Sequence, residues 1–83
     1  MTQRSTDITA GPGGVMTDEV GVVTGDLTVR TEADDDGSVR SMVAYQGALD
    51  WYMITDGPTT LGTEDLDTVH NRVVERVTRG DAA

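Results

Sequence analysis

The stretch 39–54, VRSMVAYQGALDWYMI, constrains the fold more than any other segment, because it holds the single Trp, both Tyr and two of the four Met of a chain that has no Phe. A core has few other places to start. Its β-branched and aromatic residues favour pleated structure, so it reads as two antiparallel strands joined at Gln46-Gly47. With those two residues as the loop, Tyr45 faces Ala48, Val43 faces Asp50, Met42 faces Trp51 and Ser41 faces Tyr52. One face then carries Met42, Ala44, Leu49, Trp51 and Met53; the other carries Val39, Val43, Tyr45, Ala48, Tyr52 and Ile54. Both faces are apolar, which a sheet with one side in water does not require.

The flanking segments supply the rest of a small domain. Val20 to Glu32, rich in β-branched residues, predicts a first strand bent at Gly25, and Asp36-Gly37 predicts the turn into the second. Asp56-Gly57-Pro58 ends the third strand, since Pro58 has no amide to donate. A helix follows, with Thr63 as its N-cap, acidic residues in its first turn, Arg72, Arg76 and Arg79 toward its end, and Gly80 as its stop. Leu66, Val69, His70, Val73, Val74 and Val77 form one stripe at helical spacing. The expectation is an α+β fold: a three-stranded antiparallel sheet, β-β-β-α, with one C-terminal helix packed on one face. Residues 1–18 are expected to be a disordered tail, 19–80 the domain, and 81–83 a disordered end. One helix covers one sheet face. The second apolar face therefore predicts a homodimer or a protein partner, unless residues 1–19 fold back over it.

Charge narrows the partners. Fifteen acidic residues against six Arg, with no Lys, give a net charge of −9 and a pI near 4.1. Direct nucleic-acid binding needs a basic patch that this chain cannot assemble, and anionic membrane surfaces are equally poor partners. Such a composition suits a GC-rich genome or a high-salt setting; the sharper reading is an acidic surface that competes with DNA for a basic protein. No apolar run approaches the ~20 residues that span a bilayer. The N-terminus MTQRSTDITAGPGG has no apolar signal-peptide core, so the expected setting is cytoplasmic. Without cysteine, disulfides and thiolate metal sites are excluded.

Motifs for chemistry are weak. Glu32-Ala33-Asp34-Asp35-Asp36-Gly37 resembles the opening of a calcium loop, but the twelfth position is Val43 rather than Glu, and a solvated acidic turn fits better. His70 lies in the apolar helix stripe with Asp67 three residues earlier, close enough for carboxylate and imidazole to touch. A hydrogen-bonded core histidine is the plainer reading. No Ser sits in a nucleophile elbow, and the GPGG of 11–14 lacks the Lys of a phosphate loop. Neither metal nor cofactor is expected.

The sequence therefore predicts a small acidic, non-catalytic protein-protein interaction module of the regulator, inhibitor or immunity type, docking through an apolar sheet face. Met42, Tyr45, Trp51 and Tyr52 are the candidate interface anchors. An alternative is a nucleic-acid mimic acting through Glu32, Asp34, Asp35, Asp36, Asp50 and Asp56. A third reading is a small-ligand binder or enzyme near His70, for which ~60 ordered residues leave too little interior volume without a dimer cleft.

Overall fold

The computed structural model describes residues 1–80; the expectation for 81–83 lies outside the described residues. The strands are β1 (Thr2–Thr9), β2 (Val15–Thr17), β3 (Gly21–Val23), β4 (Asp26–Ala33), β5 (Val39–Tyr45) and β6 (Tyr52–Met53), followed by the helix α1 (Leu66–Arg79). The fold is α+β. β1-β4-β5-β6 form one antiparallel sheet in that order, and β2 pairs with β3 in a separate two-stranded sheet.

The expected count of three strands is corrected to four in the main sheet. Gly25, at φ 89°, ends one strand rather than bending it, so Val20–Glu32 divides into β3 and β4. The expected tail supplies the other additions, β1 and β2. β1 shows no apolar periodicity because its inward neighbours on α1 are themselves polar: Arg4 pairs with Asp67 at 2.7 Å and Thr6 with His70 at 2.8 Å. Nor does the N-terminal segment cover the second face of the sheet. β1 extends the sheet sideways, and Val15 and Val23 of the β2–β3 hairpin join the core beside α1.

That core is set by alternation. β4 turns Leu27, Val29, Thr31 and Ala33 toward the helix, opposite Tyr45, Val43, Ser41 and Val39 of β5. Val69, Val73 and Val77 close it from α1. Each fully buried Val or Leu contributes roughly 1.5–3 kcal/mol, which must hold a helix whose Val-rich stripe has poor intrinsic propensity. The helix begins two residues later than expected. Asp65, not Thr63, is the N-cap, its carboxylate accepting the Thr68 amide at 2.8 Å. Gly80 stops the helix as expected, at φ 88°.

The β5–β6 pairing is offset by two residues from the expected one: Met42 faces Met53 and Val43 faces Tyr52. Gln46-Gly47 still turns the chain, with the Ala48 amide bonded to the Tyr45 carbonyl at 2.9 Å, but residues 48–51 extend the loop before pairing resumes. Because side chains alternate with a period of two, an offset of two leaves every paired residue on its expected face.

Candidate functional site

Arg30, Met42, Ala44 and Met53 project from β4, β5 and β6 to the side opposite α1. Trp51, just ahead of β6, lies over Arg30 with the guanidinium carbon 4.0 Å from its ring centroid. Met42, Trp51 and Met53 are half-buried and Ala44 is buried. Arg30 Nε is buried without a hydrogen-bond partner. At the margin, Arg40 bridges Glu32 at 3.2 Å and Asp34 at 3.3 Å. Since α1 and the β2–β3 hairpin both pack on the other face, this one is left open among the described residues, with an aromatic–guanidinium centre and a charged rim.

Among the described residues, the open face ends at a strand edge, β1, that pairs with no further strand. The Ala10 amide donates to the Gly25 carbonyl and the Gln46 amide to the Asp26 carbonyl, which sets the parity of the ladders. Thr2, Arg4, Thr6 and Ile8 therefore bond to β4, while Gln3, Ser5, Asp7 and Thr9 aim their backbone groups away from the sheet. Arg4 Nη1 donates to the Gln3 carbonyl at 2.9 Å, as that orientation requires. β1 runs eight residues without Pro or Gly, a long edge to leave unprotected.

The four anchor candidates divide between the faces. Met42 and Trp51 belong to the open one. Tyr52 packs against the core on the helix side, and Tyr45, also on that side, is 44% exposed at the sheet end. Leu49, in the loop beyond it, is 93% exposed.

The acidic candidates are dispersed. Glu32 is buried beside Arg30 and Arg40, so it is no part of a free acidic surface. Asp34, Asp35 and Asp36 occupy the β4–β5 turn, where hydrogen bonds from Ser38 hold the Asp36 carboxyl below its usual range. Asp50 lies beyond the opposite end of β5, and Asp56 in the segment after β6.

His70 is buried and clamped by two threonines: Nε2 meets Thr6 Oγ1 at 2.8 Å and Nδ1 meets Thr31 Oγ1 at 3.0 Å. Asp67, whose spacing allows it to reach the imidazole, turns instead to Arg4. Burial pushes the imidazole pKa below its ordinary 6.5; Asp67 opposes this and Arg4 adds to it. A neutral imidazole that donates through one nitrogen and accepts through the other satisfies both hydroxyls. This is a structural clasp between β1, β4 and α1.

Two surface grooves flank residues 55–58. One of about 310 Å³ is lined by Asp56, Pro58, Arg72, Val73, Arg76 and Arg79; a second of about 300 Å³ lies against β5. Neither touches His70. Arg72 is held by Glu64, Arg79 by Glu75, and Arg76 by the carbonyls of Thr55 and Asp56. Among the described residues, no cluster of three or more His, Cys, Asp or Glu could hold a metal ion, and no helix is long and apolar enough to cross a membrane. No protein-family model, curated protein or solved structure matches the chain.

Proposed function

We propose that the chain is a non-catalytic interaction module that docks its open sheet face onto a protein partner of basic character. The observation that carries this reading is Trp51 stacked on Arg30 at the centre of a face that α1 and the β2–β3 hairpin leave open. Trp and Arg are the residue types that dominate binding energy at interfaces, and here they are already preorganised against one another. Met42 and Met53 add adaptable apolar area around them. The outward backbone groups of Ser5, Asp7 and Thr9 offer hydrogen bonds along the adjoining edge. A basic partner is favoured over a second copy because each copy carries a net charge of −9, which attracts the former and repels the latter.

Light scattering at low and at high salt tests the occupant. A monomer is the expected result, and a dimer whose mass survives high salt would place a second copy on the face and overturn the choice. Photo-crosslinking from position 42 in cell extract tests the face itself. It is expected to trap a protein of basic isoelectric point with the unaltered chain and to lose it with Trp51→Ala at an unchanged fold. Equal trapping by both would overturn the assignment of Trp51.

A further inference from the structure

We infer that the groove beneath residues 55–58 binds a primary ammonium group carried on an alkyl stem. From the Met42–Met53 pair to the Ser38–Thr60 bridge, β5 advances four residues while the opposite strand advances seven. The surplus is expelled as a short excursion. It leaves after Ile54, whose amide bonds to the Ser41 carbonyl at 3.0 Å, and returns at Thr59, whose carbonyl accepts the Val39 amide at 2.9 Å. Asp56 bends it at φ 58°, a left-handed conformation that Asp tolerates better than most residues.

The groove beside the excursion is lined by the apolar Val39, Met53, Ile54 and Pro58 and by the acidic Asp18 and Asp56. Ser41 is in its lining, 2% exposed, and its Oγ has no hydrogen-bond partner. A buried hydroxyl without a partner is rare enough to call for one. Asp18 accepts the Thr55 hydroxyl at 2.6 Å with one oxygen, which leaves further acceptor capacity, and the Asp56 carboxylate meets no donor among the described residues. Two carboxylates and a hydroxyl match the three donors of an ammonium group, while the apolar walls suit methylenes. A free alkylamine and a partner's lysine side chain share this chemistry; a second copy supplies no lysine, since the chain has none. The inference does not depend on the open sheet face.

Amide shift titration of the full chain with butylammonium chloride tests it, against 1-butanol and against sodium chloride at equal ionic strength. Saturable shifts at Asp18, Ser41, Gly57 and Thr59 are expected with butylammonium alone. Gly57→Ala adds a methyl 3.4 Å from the Ile54 carbonyl oxygen and Ser41 Cβ and 3.7 Å from Ser41 Oγ, ordinary contacts that fill the space in front of the hydroxyl and leave the fold in place. Gly57→Ala, Ser41→Ala and Asp56→Asn should each weaken binding by roughly tenfold. Asp50→Asn, which removes the same charge elsewhere, should not. Equal shifts with sodium chloride, equal weakening by Asp50→Asn, or equal binding of butanol would overturn the assignment. If Nα-acetyl-lysine methylamide binds as well as butylammonium, the natural source is a lysine side chain; if it does not bind, the source is a free amine.

Discussion

Gly11 donates its amide to the Val77 carbonyl at 3.0 Å, joining the N-terminal segment to the last turn of the C-terminal helix. The contact is backbone on backbone: a Cβ at Gly11 would fall on the carbonyl groups of Thr78 and Arg79, and one at Gly80 on the carbonyl of Pro12. The Gly-Pro-Gly-Gly run is thus the seat of the helix end.

Gly11→Ala should therefore destabilise far more than one added methyl suggests. Neither neighbour is a side chain that can rotate away, so the helix must lift. The expected cost is about 3 kcal/mol or more, a large part of the 5–15 kcal/mol typical of a small domain. Urea denaturation checks it, and a loss below about 0.5 kcal/mol would show that the segment does not pack there.

Hydrogen exchange should distinguish alternate residues of β1. The amides of Arg4, Thr6 and Ile8 face β4 and should be protected, whereas those of Ser5, Asp7 and Thr9 face outward and should exchange near the unstructured rate. In a complex formed by strand addition, the second set becomes protected as well. Uniform protection in the free chain would mean that the edge is already occupied.

Trp51→Ala and Leu27→Ala should separate surface from core. Leu27 is fully buried between sheet and helix, so its truncation should cost about 2–5 kcal/mol. Trp51 is half-buried over Arg30, and losing that stack should cost on the order of 1 kcal/mol. Chemical denaturation of the two variants checks the order; a Trp51→Ala loss as large as that of Leu27→Ala would make Trp51 a core residue.

How much of this is readable from sequence depends on what each element packs against. The helix was legible because Leu66, Val69, Val73 and Val77 face an apolar sheet and Gly80 ends it; its N-cap was not, because Thr63 and Asp65 are both capping residues. The faces of β5 and β6 are the same in the two registers, which differ by two residues, because the side-chain period is two. β1 was illegible because Arg4 and Thr6 meet polar partners, which leaves Ile8 as its one contact with the core cluster. The groove beneath residues 55–58 depends on a mismatch in strand length, and no local residue pattern encodes that.

The clasp at His70 predicts how stability depends on pH. Thr6 faces the ring from β1, Thr31 from β4, Asp67 lies one turn back on α1, and Arg4 reaches that carboxylate from β1. Burial lowers the folded pKa beneath the 6.5 of the unfolded chain, so between the two values the unfolded chain holds a proton that the folded chain does not. Stability then rises with pH across that window: this contribution is fully present above about 6.5 and is lost as the pH falls toward the folded value, by at most about 1.4 kcal/mol per unit. His70→Leu should remove this slope while lowering stability at neutral pH, because Thr6 and Thr31 lose their shared partner. Thr31→Val leaves a buried ring nitrogen unsatisfied and should cost about 1–3 kcal/mol. Urea midpoints from about pH 5 to about pH 8 check all three chains, after subtraction of the carboxylate contribution that the His70→Leu chain retains. Identical slopes with and without His70 would mean that the imidazole titrates in the folded protein as it does in water.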